Sequence, residues 1–302
     1  MTTRPRATAI INPHTGRREA HELEAMLQST LGRVYDVRVL RTGYPGDARD
    51  LARQSAKSSD VVLAVGGDGT VADVASGLVG SNTPLAIIPT GSANAVARSL
   101  GIPLQPAAAA RILVRPHDRR TLDVALAGER AVVHMAGSGY DALVMRDAQR
   151  SLKRLARWLA YVPPALKHLT VPMTRYRITV DGETTECVAR MVLVANGAFV
   201  LDPWLRFGDD IRPDDGVLDV CVFDPPHLAA TLTLLLWFLV GHVGRSRFAR
   251  RLRGRHVRVE ASPPAPIELD GDYAGTTPLE MKVCPAAIQV IVPRGAGEPI
   301  AR

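Results

Sequence analysis

A chain of 302 residues with 46% hydrophobic and 22% charged side chains has the apolar material for a large core, which excludes a disordered or fibrous protein. Lysine and arginine number 37 against 30 acidic residues, a formal charge of +7, so an anionic partner is favoured. Cys187, Cys221 and Cys284 stand singly in apolar runs with no CxxC spacing and no histidine cluster, which excludes a zinc site and leaves them as small core residues.

At the N-terminus the apolar run 7–11 is too short for a secretion signal and ends in a polar turn, so a cytoplasmic chain is expected. Strand patterns at 7–11, 35–40, 60–65 and 84–88 alternate with helical patterns at about 18–31, 46–55 and 71–79. That order predicts a parallel sheet with helices on both faces, which binds ligands at the carboxyl ends of its strands. The polar turns fall there. Asn12, Pro13, His14, Thr15 and Gly16 follow the first strand, Gly66, Gly67, Asp68, Gly69 and Thr70 the third, and Thr90, Gly91, Ser92 and Asn94 the fourth.

The third turn is the most informative. An apolar strand runs into GGDGT with a helical pattern, VADVASGL, directly behind it. Glycine lets backbone N–H groups approach an anion, and the helix turns its positive end to the same spot. Asp68 stands where a carboxylate could hold Mg²⁺ beside a phosphate. A purely structural strand-to-helix turn needs the glycines but not the Asp and Thr. Asn12, Gly16, Thr42, Gly67, Asp68, Gly69, Thr70, Thr90, Ser92 and Asn94 are the residue types of a nucleotide cradle. There is no GxxxxGK[ST] sequence, which argues against a P-loop fold, and Gly137, Ser138 and Gly139 lack the glycine spacing of a serine-hydrolase elbow, so they read as a turn.

Beyond about residue 126 the pattern changes to short β-rich runs at 131–135, 175–180, 188–195, 217–223, 256–260, 267–269, 279–283 and 288–292, which predicts an antiparallel β-sandwich. Asp181 and Gly182 signal a hairpin, and the last run could return to the first lobe. In Ile267 to Tyr273 two carboxylates, Asp270 and Asp272, flank a glycine; alternation puts them on one face, where one could take a proton from an attacking hydroxyl. An Asp-Gly hairpin is the competing reading. The acidic turn 209–216 has oxygen ligands enough for Mg²⁺, or is a solvated turn.

Two stretches suit an amphiphilic partner. Residues 146–167 set Arg150, Lys153, Arg154 and Arg157 among Leu152, Leu155, Trp158 and Leu159; residues 227–243 are almost wholly apolar and lead into an arginine-rich run within 245–258. The apolar run is short for a membrane span, so a helix that packs on the sandwich or dips into the lipid interface is expected. Core-facing helices with a solvated basic side would give the same pattern. No aromatic platform lies among the arginines, so no nucleic acid partner is expected.

Taken in order, IINPHTG at 10–16, GDA at 46–48, VGGDGTVADV at 65–74, IPTGSANAVAR at 88–98, LDVA at 122–125, GSGYDA at 137–142, ANG at 195–197, PDDGVLDV at 213–220 and LDGD at 269–272 resemble the diacylglycerol kinase catalytic family, the lipid kinases that include bacterial soluble diacylglycerol kinases and sphingosine kinases. The resemblance implies an α/β nucleotide-binding lobe like that of phosphofructokinases and NAD kinases, over 1–126 with a C-terminal strand in 287–302. It also implies a β-sandwich lobe over 127–286, with ATP in the cleft between. By similarity Asn12 to Gly16, Thr42, Gly66 to Ala72 (Val71 included) and Thr90 would hold ATP, with Asp68 and Asp123 joined to a catalytic Mg²⁺ through water. Arg212, Asp215 and Val217 would form a structural Mg²⁺ site, and one of Asp270 and Asp272 would be the general base.

Two departures stand out: Asp272 replaces the family's glutamate, and Asn94 is followed by Ala95 where an aspartate is common. GSANA is closer to the GSGNA of sphingoid-base kinases. The implied activity is transfer of the ATP γ-phosphoryl group to a primary hydroxyl of a membrane lipid, diacylglycerol first and a sphingoid long-chain base second. A soluble-substrate kinase of the NAD kinase type and a non-catalytic lipid-binding protein are the competitors. Peripheral contact with an anionic membrane through 146–167 and 245–258 is expected, and a homodimer stays open.

Overall fold

The computed structural model describes residues 4–14, 19–150, 161–197, 207 and 210–296, and the chain divides into two compact units, Met1–Leu122 with Ala286–Arg302, and Asp123–Pro285. In the first unit the strands β1 (Arg6–Ile11), β2 (Asp36–Arg41), β3 (Val61–Gly66) and β4 (Leu85–Pro89) form a parallel sheet in the order β2-β1-β3-β4. Helices α1 (Ala20–Leu31), α2 (Asp47–Ser55), α3 (Asp68–Leu78), α4 (Ala95–Ser99) and α5 (Pro106–Ala110) connect or follow them. Every residue of β3 is buried, as a strand covered on both faces requires, and α1 buries Leu23, Leu27 and Leu31 at four-residue spacing.

The second unit is a β-sandwich. β5 (His117–Ala127) leads into it, followed by β6 (Arg130–Val132), β7 (Met135–Gly139), α6 (Tyr140–Arg150), α7 (Val162–His168), β8 (Thr174–Val180), β9 (Glu183–Ala189), β10 (Met191–Ala195), β11 (Leu218–Phe223), α8 (Leu228–Leu239), β12 (Ala249–Gly254), β13 (His256–Ser262), β14 (Pro266–Leu269), β15 (Asp272–Thr276) and β16 (Leu279–Pro293). Six strands pair in the order β12-β11-β10-β7-β14-β15, and β13 lies between β8 and the first half of β16, all antiparallel. Val192, Val194, Leu218 and Val220 of the first sheet share a core with Tyr176, Ile178, Val257, Val259 and Met281 of the second. The alternate residues Leu193, Ala195, Cys221 and Phe223 form a separate cluster on the outer face, against which Leu234 and Phe238 of α8 pack. The second half of β16 runs parallel to β4, so this strand serves both units.

The α/β lobe and the β-sandwich are as the sequence pattern predicts, and three local expectations are corrected. Residues 137–139 are not a turn: they lie in β7, hydrogen-bonded on one side to β10 and on the other to β14. The run is glycine-rich because a Cβ on Gly137 would lie 1.5 Å from Asp141 Oδ2, a contact no side chain survives. The single run 188–195 is two strands, broken at Arg190, whose guanidinium turns out to the carbonyls of Val171 and Pro225. Asp270 and Asp272 do not share a strand face, for reasons given below. Thr15, Gly16, Asp209 and the basic positions 151–160 lie outside the described residues.

Candidate active site

In the first unit the carboxyl ends of adjacent parallel strands bring four turns to one sheet edge. Asn12 N–H donates to Val65 O (3.1 Å), Thr42 N–H to Ile11 O (3.0 Å) and Thr90 N–H to Gly66 O (2.9 Å), each carrying the ladder one residue past its strand. The Asn12 side chain ties two tips together: Nδ2 donates to Thr70 Oγ1 at 3.3 Å, and Oδ1 accepts from His14 N–H at 3.0 Å. Gly67 is the N-cap of α3, and a Cβ on Gly91 would lie 2.5 Å from the Gly67 Cα, so the two turns meet backbone to backbone. The amides of Asp68, Gly69 and Thr70 open the helix and have no intrahelical acceptor, which leaves three donors at the positive end of its dipole.

This is a surface that fits the phosphates of a nucleotide. Asn94 closes it: it is buried, held at φ 51°, and donates from Nδ2 to Gly91 O at 2.8 Å. Asp68 caps α4 by accepting from Val96 N–H at 3.1 Å, so part of its carboxylate serves the fold. Val71 and Ala72 point into the core, and Val71 N–H donates to Gly67 O, so neither side chain is presented to a ligand; Pro13, His14 and Ser92 are exposed.

In the second unit a two-residue turn, with Asp270 at φ 49° and Gly271 at φ 86°, joins β14 to β15 and interrupts strand alternation. The two carboxylates therefore go to different neighbours. Asp270 is buried and accepts three backbone N–H groups, from Val133 (2.9 Å), His134 (2.9 Å) and Met135 (3.1 Å). Burial pushes its carboxyl up to about 6 while the three amides and Arg130 pull it back, so it is ionised at neutral pH and serves as the anchor of the strand entry to β7. Asp272 is 49% exposed, and Arg130 Nη2 bridges it (3.0 Å) to the Leu269 carbonyl (3.2 Å).

Beside this turn lies a pair that sequence reading missed. Glu268 is buried, the half-buried Asp141 is hydrogen-bonded to it, and Glu268 Oε2 accepts Gly271 N–H at 2.6 Å. Burial raises both carboxyls, that of Asp141 to about 7; the Asp141 charge pushes Glu268 up further, while the hydrogen bond from Glu268 pulls Asp141 back. The signal was available: a glutamate between Ile267 and Leu269 looks like a solvent-facing strand residue, but its register partner is Gly137, over which Asp141 of α6 sits.

Asp123 is also buried. Its Oδ2 accepts Gly216 N–H at 2.6 Å, its own N–H donates to Pro213 O at 2.7 Å, and Asn196 Nδ2 donates to its carbonyl at 2.9 Å, so it locks the PDDG turn. Asp215 in that turn accepts from Arg253 and from Val217 N–H (3.3 Å), while Arg212 pairs with Asp214 (3.1 Å). A guanidinium balances the Asp215 charge here, and a Mg²⁺ held by the Asp215 carboxylate with the Arg212 and Val217 carbonyls would have to displace Arg253. Among the described residues no group of three or more His, Cys, Asp or Glu side chains could hold a metal ion.

The family model for the diacylglycerol kinase catalytic domain matches residues 6–127, and the model for the YegS C-terminal NAD kinase beta sandwich-like domain matches 134–292. A probable lipid kinase YegS-like protein of Pseudomonas aeruginosa is 32% identical, over 91% of this chain and 89% of its own length. The chain belongs to the diacylglycerol kinase family of lipid kinases. Proteins named diacylglycerol kinase are 30% identical in Mycobacterium tuberculosis, over 96% of each chain, and 28% identical in Bacillus subtilis, over 97% of this chain and 98% of the other. A solved putative diacylglycerol kinase from Bacillus anthracis superposes with a TM-score of 0.76 at 22% identity, covering 97% of this chain and 99% of that one, which shows the shared fold. As a kinase of this family the protein uses ATP, and no helix among its described residues is long and apolar enough to cross a membrane.

Proposed function

We propose that this kinase transfers the γ-phosphoryl group of ATP to the primary hydroxyl of diacylglycerol, giving phosphatidic acid. The observation that carries the nucleotide half is the backbone contact of Gly67 with Gly91 at the opening of α3, where first-turn amides are the natural partners of phosphate oxygens. Asn12, Thr42, Gly69, Thr70 and Thr90 belong to the same edge. Mg²⁺ would travel with the nucleotide phosphates, offsetting their charge, with the Asp68 carboxylate the first-unit group assigned to its water shell.

Of the two candidate bases we assign the role to Asp272. Its carboxylate is half exposed and oriented by Arg130, whereas Asp270 accepts from three backbone amides of the fold. As the acceptor oxygen forms its bond to phosphorus and the bond to the ADP oxygen breaks, the hydroxyl proton passes to Asp272. Asp270 acts as a positioning residue. A sphingoid long-chain base is the second acceptor, supported by Ala95, which opens α4 without an added carboxylate.

A bilayer-borne acceptor requires that the enzyme reach a membrane from the cytoplasm, and the basic segments 146–167 and 245–258 are assigned to that contact. In the first, the described ends are partly neutralised: Asp147 accepts from Lys167 (2.7 Å), His168 (2.9 Å) and Arg146 (3.1 Å), which hold its carboxyl well below the usual range. The test is radiolabelled ATP with a panel of lipids in mixed micelles. Labelled phosphatidic acid is the expected product; label only on a sphingoid base moves the assignment to the second acceptor, and no labelled lipid from folded protein overturns the reaction.

A further inference from the structure

Helix α8 has no charged residue along its 12 positions, yet only one of its faces is built into the protein. Ala230 is buried, and Leu234 and Phe238 pack on the outer face of the six-stranded sheet, with the Phe238 ring 5.6 Å from that of Phe207. The opposite face presents Leu228, Leu232, Leu235, Leu236, Leu239 and Val240, between 40% and 64% exposed. A helix on a soluble protein carries charged or polar residues on that face. The two threonines of α8 turn their hydroxyl donors back onto the helix: Thr231 Oγ1 donates to His227 O (3.2 Å) and Thr233 Oγ1 to Ala229 O (2.9 Å).

Charge complementarity says what covers this face. Most of the arginines after α8 are spent inside the unit: Arg250 on Asp224, Arg251 on Asp210 and Asp219, Arg253 on Asp215 and Asp219, and Arg258 on Glu260 and Glu280. Arg245 and Arg247, in the turn that leaves the helix, meet no carboxylate among the described residues. With His227, Thr233 and Trp237 they line a cavity of about 490 Å³ against α8. An apolar blade flanked by cations is the arrangement that sits at the headgroup and acyl boundary of an anionic bilayer. A second copy of the chain would bring the same arginines to the contact.

We propose that α8 is the membrane-inserting element of this kinase, with its leucine face among the acyl chains and Arg245 and Arg247 on the phosphates of anionic phospholipids. The proposal deepens the lipid kinase reading, resting on it for the partner, but binding can be read without turnover. The full chain is floated with vesicles of phosphatidylcholine alone or with added phosphatidylglycerol. Wild type is expected to float with the anionic vesicles and much less with the neutral ones. Leu232→Gln with Leu236→Gln should weaken binding to anionic vesicles about tenfold or more at an unchanged melting temperature. Arg245→Gln with Arg247→Gln should lose on the order of tenfold and most of the salt sensitivity.

Wild type that stays with the unbound fraction overturns the proposal, as does a leucine variant that floats like wild type. A solution dimer that the leucine variant dissociates, with vesicle binding unchanged, assigns the face to a second copy and overturns it too. Vesicle binding lost in the leucine variant alongside intact turnover of a micelle-dispersed acceptor supports it, and binding that persists with no lipid phosphorylated counts against the reaction alone.

Discussion

The phosphate edge of the first unit and the acidic turn of the second reach precision by opposite means. The first is made of absence: glycines that let two backbones touch, and amides left open at a helix start. The second is made of buried polar groups: Asp270 in a ring of three amides, with the Glu268 and Asp141 carboxyls paired beside it. A site made of backbone tolerates no added atom, whereas a site made of carboxylates tolerates changes of shape and responds to pH.

Four changes sharpen that contrast, beginning with the largest effect. Asp272→Asn removes the proposed proton acceptor and should lower kcat by about 10²–10⁴ with the melting temperature unchanged, whereas Asp270→Asn turns an acceptor into a donor facing backbone N–H groups and should cost about 1–3 kcal/mol of stability. Steady-state kinetics and thermal melts on both variants decide between them: stability loss at 272 rather than 270 reverses the roles.

Gly91→Ala comes next. Its Cβ would fall 2.5 Å from the Gly67 Cα, and the resulting displacement of the turn by up to about 1 Å should cost roughly 10²-fold in kcat/KM for ATP. The equivalent change at Gly80, which sits at φ 74° with open space around it, should leave ATP kinetics alone, as enzyme assays will show. Glu268→Ala strips Gly271 N–H of its acceptor and leaves a void, for a loss of about 2–4 kcal/mol in denaturant melts.

The smallest expected effect is the pH dependence. The folded-state values of Asp141, Glu268 and Asp270 all lie above their unfolded ones, so between those limits the native state binds the extra protons and stability falls as pH rises from about 4 through about 7. Asp147 is shifted the other way, and its contribution is lost only in stronger acid. The melting temperature should therefore decline by a few °C between about pH 5 and pH 8, and Glu268→Gln should flatten that slope. A melting temperature that climbs over this range would show that these carboxyls are not raised in the folded state.

Much of the fold was legible because burial on both faces writes itself as apolar runs: β1, β3 and β4 lie within one residue of their expected bounds. β7 and β12 were not legible, for opposite reasons. β7 is MAGSG, with no hydrophobic signal because α6 and Asp141 take the space its side chains would fill; β12 is ARRLRG, whose arginines read as part of a basic membrane-facing run until Asp210, Asp215, Asp219 and Asp224 are brought to them. At the acidic turn the Asp-Gly hairpin is present, and its αL residue sends Asp270 inward and leaves Asp272 half exposed.

Local sequence determined what depends on neighbours along the chain: strand and helix identity in the α/β lobe, the glycine turns, the hairpins at Asp181 and Asp270, and the family. Only tertiary structure decided which charges are spent and which remain, because ion pairing joins residues such as Asp219 and Arg251, and a hydrogen bond joins the carboxyls of Asp141 and Glu268, across chain separations that no periodicity encodes.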